Sequence, residues 1–229
     1  MSTTPSLYLP NILIAADTGS GKSSALEKLP QDETTRIIES EGKALPFAHH
    51  FDVRSVNTID EFDAESDKAH ADSKVKIIVY DSISKHLHRI LQMCRATMKG
   101  YDIWSGYGKY GFKLFKQMHS TSKIIIATSL VEVREFDDVN EQGNPIKTYK
   151  KVAATFMGKE LESKIEPEFA CVLHIDLKRT PNGIEHQFIT KPDGVTTSKT
   201  PRSMFVGKNR VPNDISLVLN ELRVAKMIS

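Results

Sequence analysis

Ala16-Asp17-Thr18-Gly19-Ser20-Gly21-Lys22-Ser23 is the stretch on which the reading of this chain turns. The apolar run Ile12-Leu13-Ile14-Ala15 precedes it, and Ser24-Ala25-Leu26-Glu27-Lys28-Leu29 follows with helical composition as far as Pro30. Strand, glycine-bearing turn and helix are the context a phosphate-binding loop requires. Gly19 and Gly21 let the backbone turn tightly, so that successive N–H groups form an anion nest. A helix over 22–29 adds positive partial charge at its N-terminus. On this reading Asp17, Thr18, Gly19, Ser20, Gly21, Lys22, Ser23 and Ser24 surround the phosphates. Lys22 reaches the β- and γ-phosphates, and Ser23 places its hydroxyl on Mg²⁺. The usual pattern is G-x-x-x-x-G-K-S/T. Ala16 stands at its first glycine and is small enough to serve where φ is negative.

Working outward, Val75-Lys76-Ile77-Ile78-Val79-Tyr80 reads as a strand covered on both faces, with Asp81-Ser82 at its carboxyl end. Four apolar residues and then Asp81 is the pattern of a Walker B carboxylate, suited to hold Mg²⁺ beside Ser23. The competing role is an N-cap for the helix expected over 83–98. Residues 123–127 form a further buried strand, and Thr128-Ser129 at its end are candidate sensors of the γ-phosphate. The short β-branched strand 35–39 runs into Ser40-Glu41-Gly42. Hydrolysis needs a base for the attacking water. Glu39 and Glu41 are the candidates, Glu41 lying just past the strand end, with Glu132 a third.

The rest of the chain supports an α/β architecture. Residues 57–71 read as an acidic surface helix with a loop, 100–111 as a Gly- and Tyr-rich connection, and 112–119 as a further helix. Residues 131–151 are polar and read as a hairpin or a mobile loop around a turn at 140–145. Strands over 169–177 and 184–190 pair across Pro181-Asn182-Gly183. A Pro/Gly/Ser/Thr-rich segment, 191–208, leads to a terminal helix capped near Asn213-Asp214. Strands alternating with helices and then a β-rich end predict a mostly parallel sheet, flanked by helices, with antiparallel strands added toward the C-terminus. Ligands of such sheets sit at the carboxyl ends of the strands. The phosphate loop, Glu41, Asp81 and Thr128 all fall there.

Composition sets the outer limits. The chain has 229 residues, 39% hydrophobic and 26% charged, which suits one globular domain. A formal net charge of +2 predicts neither nucleic acid nor membrane binding globally, so any basic surface is local. Cys94 and Cys171 sit in apolar stretches and read as buried free thiols in a reducing compartment. His86 and His88, two apart on a helix, and the pair His49-His50 do not read as a metal set. Neither a signal peptide nor a membrane span is read, and a cytosolic location is expected.

Phosphate loop, a strand ending Glu39-Ser40-Glu41-Gly42, a strand ending Tyr80-Asp81-Ser82 and a strand ending Ala127-Thr128-Ser129 occur here in that order. The order resembles the RecA-like ATPase core, in the compact form of phage nucleotide-binding proteins. Some of those are single-strand annealing or recombination ATPases. The resemblance covers roughly residues 10–225 and implies one RecA-like domain, ATP and Mg²⁺ as ligands, and the host cytoplasm as location for a phage-encoded chain. It is similar to a D-T-E-G signature whose last acid is catalytic, which assigns the base to Glu41 and the preceding acid to Glu39. The catalytic set it implies is therefore Lys22, Glu41 and Asp81. Lys199-Thr200-Pro201-Arg202-Ser203-Met204-Phe205 looks like the basic tail of the small phage members. Such ATPases place ATP between protomers of a ring or filament, so a neighbour's Arg202, Lys199, Lys191 or Arg179 completes the site.

Single-stranded DNA is the partner the resemblance implies, with a single-strand-binding protein as a further one. Tyr101, Trp104, Tyr107, Tyr110 and Phe112 are crowded together with Lys99, Lys109 and Lys113, and Lys147, Tyr149, Lys150 and Lys151 form a smaller cluster. Stacking aromatics among basic residues suit single strands. The same aromatics equally suit a core or an interface. Two other functions remain open: a small-molecule kinase, for which the lid 131–151 offers one arginine, Arg134, and a nucleotide-dependent assembly or packaging accessory protein.

Overall fold

The computed structural model describes residues 10–119, 121–142, 145–158, 161 and 165–228. The strands are β1 (Ile12–Ala15), β2 (Thr35–Glu39), β3 (Asp52–Ser55), β4 (Ile77–Asp81), β5 (Ile124–Ser129), β6 (Val131–Val139), β7 (Pro145–Ala154), β8 (Cys171–Thr180), β9 (Gly183–Ile189) and β10 (Arg210–Pro212). The helices are α1 (Ile59–Ala71), α2 (Ile83–Thr97), α3 (Asp102–His119) and α4 (Ile215–Val224). Among the described residues, an eight-stranded sheet runs in the order β10-β9-β8-β1-β5-β4-β2-β3. Strands β3, β2, β4, β5, β1 and β8 are parallel, and β9 and β10 add antiparallel at one edge. This is the expected α/β class.

Every residue of β1, β4 and β5 is buried, which explains why these strands read as unbroken apolar runs rather than alternating ones. One face packs Leu13, Ile78, Tyr80 and Ile125 against α1, α2 and α3. The other packs Ile12, Ile14, Val79 and Ile126 against the turn after β1 and against α4. Each such isoleucine is worth about 1.5–3 kcal/mol in apolar burial. β6 and β7 form a separate two-stranded ribbon. Its register runs from Val131↔Ala154 to Val139↔Pro145, with Glu135 opposite Lys150 and Asp138 opposite Lys147. It occupies the segment expected as a hairpin or loop; residues 143 and 144 of the expected turn lie outside the described residues. No helix among the described residues is long and apolar enough to cross a membrane.

Four local expectations need correction. The helix over 22–29 is a single 3-10 turn at Ser24–Leu26, held by bonds such as Leu26 N–H to Ser23 O. Pro30 leaves too little chain for a nucleated α-helix, so little macrodipole develops. The connection at 100–111 is instead the first half of α3. There, close packing overrides poor propensity: a Cβ on Gly106 would lie 2.5 Å from Met98 Sδ, and one on Gly111 would lie 2.8 Å from a Leu161 methyl. Helix α1 is more than a solvated face, because it buries Phe62, Ser66 and Ala69 behind a capping box of Thr58 and Glu61. Lastly, the 199–205 stretch is no free tail. The Lys199 backbone exchanges hydrogen bonds with Val172, and Met204 and Phe205 are core residues.

The histidines and cysteines of the core belong to packing. His86 stacks on Phe62 at 3.5 Å between ring centroids, and burial lowers its pKa to about 4. Cys94 and Cys171 are buried free thiols.

Candidate functional site

The phosphate-loop segment leaves the tip of β1 and is braced from two sides. Ala16 N–H donates to Ser129 O at the tip of β5. Behind the loop, the His186 ring nitrogen Nδ1 lies 2.7 Å from Ser20 O, and Asn213 Nδ2 donates to Gly21 O at 2.8 Å. Gly21 has φ +91°, and a Cβ there would sit 2.8 Å from His186 Nδ1. Only glycine satisfies both demands. Among the described residues, the backbone N–H groups of Gly19, Gly21, Lys22 and Ser23 have no protein acceptor. Neighbouring amides left without a protein acceptor on one turn are what an anion nest presents.

Lys22 is buried, and its ammonium donates to Ala16 O (3.0 Å) and Asp17 O (2.9 Å), folding back across its own loop. Burial lowers its pKa, while Glu41, Asp81 and Asp17 pull it back up. Ser23 Oγ donates to Asp81 Oδ2 at 2.9 Å. The sheet order separates β1 from β4 by one strand, β5, and the tip of β5 fills the gap. Thr128 Oγ1 donates to Asp81 Oδ1 at 2.5 Å. Asp81 is thus held by a hydroxyl on each oxygen. The helix after it begins at Ser82 without a side-chain cap bond, so the N-cap role for Asp81 does not apply. Burial pushes its carboxyl above the usual carboxylate range; Thr128 and Ser23 oppose that push, and Glu41 and Glu39 add to it. A cation next to Ser23 and Asp81 would relieve this. Among the described residues no three His, Cys, Asp or Glu cluster as a metal site. Ser23 and Asp81 therefore offer a partial oxygen set, which suits an ion that also takes phosphate and water oxygens.

Thr18, Gly19, Gly21, Lys22, Ser23, Ser24, Glu39, Glu41, Lys43, Ala44, Leu45, Pro46 and Asp81 line one cavity of about 290 Å³. The two glutamates are held differently. Glu39 is buried: its Oε1 accepts from the Glu41 N–H (2.5 Å) and the Lys43 N–H (3.3 Å), and its Oε2 accepts from Ser55 Oγ (3.0 Å). Glu41 accepts from Ser82 Oγ at 3.0 Å and is partly open to solvent. Glu39 is occupied as a loop anchor; Glu41 faces the cavity, with Ser82 on one oxygen and the exposed Lys43 ammonium 3.4 Å from the other.

Other expected residues fall elsewhere. Thr128 is fully buried behind Asp81 and does not line the cavity, so it orients that carboxylate rather than facing a phosphate. Arg202 is exposed and does not line its own chain's cavity. Lys191 and Lys199 direct their ammonium groups at Pro201 O and Pro167 O. Glu132 pairs with Arg134 at the base of the ribbon. Tyr107 is core at 2% exposed and Tyr110 packs against it, while Tyr101 (80%), Trp104 (41%) and Phe112 (37%) are open. His186, Asn213, Ser55 and Lys43 were missed. They carry no motif, and only strand pairing far along the chain brings the first two to the loop.

A family model described as an AAA domain matches residues 10–211. Comparison with curated proteins finds no match. Among solved structures, the chain is similar to a KaiC-like protein from the hyperthermophilic archaeon Pyrococcus horikoshii (16% identity, TM-score 0.48, covering 79% of this chain and 77% of that one). It is also similar to the flagellar accessory protein FlaH from Methanocaldococcus jannaschii (12% identity, TM-score 0.40, with the same two coverages, 79% and 77%). Because the family model runs from two residues before β1 through the first two residues of β10, taking in the phosphate loop, Glu41 and Asp81, this chain belongs to the AAA domain family.

Proposed function

We propose that the chain is a RecA-like ATPase that binds ATP with Mg²⁺, hydrolyses it, and acts on single-stranded DNA in recombination or annealing as a ring or filament. One observation carries the ATPase part: the Ser23 hydroxyl donating to Asp81 beside a lysine folded over an amide-rich loop, on one cavity. On binding, the amides of Gly19, Gly21, Lys22 and Ser23 take the phosphate oxygens, and Lys22 exchanges two neutral carbonyls for anionic oxygens. Charge-assisted bonds are roughly twice as strong as neutral ones, so the exchange favours the nucleotide. Ser23 and Asp81 would hold Mg²⁺, which when bound would neutralise phosphate charge. Glu41 takes a proton from water. The water oxygen bonds to the γ-phosphorus while the bond from that phosphorus to the β–γ bridging oxygen breaks. The electron pair stays with ADP and the proton rests on the Glu41 carboxylate.

The DNA part is supported by α3. Tyr101 just before it, and Ser105, Lys109, Phe112 and Lys116 along it, are exposed and share one helical stripe. Aromatic faces interleaved with ammonium groups match the sequence-tolerant grip on single strands. Lys113, next to this stripe, is paired with Asp63. Filter binding of a labelled oligonucleotide, with and without ATP and at two salt concentrations, tests the reading. The expected log–log salt slope is about −0.7 per phosphate neutralised. Absence of binding at low salt removes the DNA role and leaves an ATPase of another use, such as assembly or packaging.

A further inference from the structure

We propose that Lys43 supplies, from within the same chain, the cation that meets the γ-phosphate during hydrolysis; this rests on the ATPase reading above. The geometry begins at Glu39. Its buried carboxylate accepts from the backbone N–H groups of both Glu41 and Lys43, and Ser55 fixes its second oxygen. The chain leaving β2 is thereby curled around an anion, with Gly42 at φ +74° making the bend. A curl of this kind puts residues 41 and 43 on the same side. Both side chains line the cavity that Lys22, Ser23 and Asp81 line from across it.

In this arrangement Lys43 Nζ lies 3.4 Å from Glu41 Oε2. The Lys43 side chain is 70% exposed, and an exposed pair at that distance holds its partners weakly. A triphosphate entering the cavity carries several negative charges and draws the ammonium from Glu41. That single movement does two things: it brings positive charge to the γ-phosphate, and it frees the Glu41 oxygen to accept the proton of the attacking water. The resting pair thus keeps the base occupied until nucleotide arrives. By contrast, Lys191 and Lys199 are bonded to backbone carbonyls, and Arg202 lies off the cavity. The cation expected from a neighbouring protomer is already present in the chain that owns the site.

The test uses the full chain. Equilibrium binding of a non-hydrolysable ATP analogue and steady-state ATP turnover are measured for the wild type, Lys43→Gln, Lys43→Arg and Lys22→Ala. Charge-completing cations in phosphoryl transfer are worth about 10³–10⁵ in kcat, so Lys43→Gln is expected to lose about 10²-fold or more in kcat. Its analogue binding should change little, and Lys43→Arg should keep part of the rate. When Lys43→Gln and Lys22→Ala are mixed, turnover should stay at the sum of the two variants alone, because each site owns both lysines. Restored turnover in the mixture overturns the assignment in favour of a neighbour's residue. Wild-type turnover matched by Lys43→Gln overturns it alone. A wild type that does not bind the analogue overturns the ATPase reading and the Lys43 assignment together.

Discussion

Thr128→Val tests how Asp81 is held. The side chain is fully buried, and valine keeps its shape while removing the hydroxyl that donates to Asp81 Oδ1 at 2.5 Å. A hydrogen bond to a charged group contributes about 1.5–3 kcal/mol. The substitution should therefore destabilise the protein by about that amount where Asp81 is ionised. The pH dependence fixes the cause. Burial raises the Asp81 pKa in the folded state above its unfolded value, so its ionisation already costs the wild type stability as pH rises. Removing a bond that opposes the shift raises the folded pKa further. The gap between variant and wild type should then grow as pH rises through the folded pKa of Asp81 and shrink as pH falls through it. Urea unfolding at a series of pH values, with m unchanged, reads it directly. A gap that is flat with pH, or below about 0.5 kcal/mol throughout, refutes the picture of a carboxylate oriented by Thr128.

Four further outcomes are expected. Lys22→Ala should abolish ATP turnover with an unchanged circular dichroism spectrum; normal turnover removes the phosphate-loop assignment. Glu41→Gln should still bind an ATP analogue but stop hydrolysis, whereas Glu39→Gln should lower the melting temperature, because its oxygens hold two loop amides and Ser55. Gly21→Ala places a Cβ at positive φ against His186 and should cost about 1–3 kcal/mol in thermal unfolding. Tyr101→Ala, at the exposed head of the stripe, should weaken single-strand binding by about 1–3 kcal/mol without altering stability; equal affinity in a titration moves the DNA surface off α3.

Much of the catalytic edge was legible because it is built from short, contiguous signals. The residues 16–23, the apolar run into Asp81 and the Glu39-Ser40-Glu41-Gly42 turn each carry their own chemistry within a few positions. Their meeting at one sheet edge follows from parallel strands ending on the same side. What stayed hidden depends on distant partners. No local pattern tells that Gly106 and Gly111 are small because Met98 and Leu161 need the space, so the start of α3 read as a loop. Thr128 read as a sensor because a polar residue at a strand tip looks alike whether it faces a ligand or a neighbouring carboxylate. Glu39 and Glu41 could not be separated by spacing. The choice rests on which one Ser55 and the loop amides engage.

The grip of His186 and Asn213 on the loop has a consequence for biosynthesis. These residues leave the ribosome more than 160 positions after the Ser20 and Gly21 carbonyls they hold. Chains emerge N-terminus first, at about 5–20 residues per second, and such long-range contacts form late. A nascent chain halted short of β9 therefore carries the whole signature in its sequence, yet nothing braces its loop from behind. The brace behind the loop is therefore complete only when the last strands of the sheet have been made.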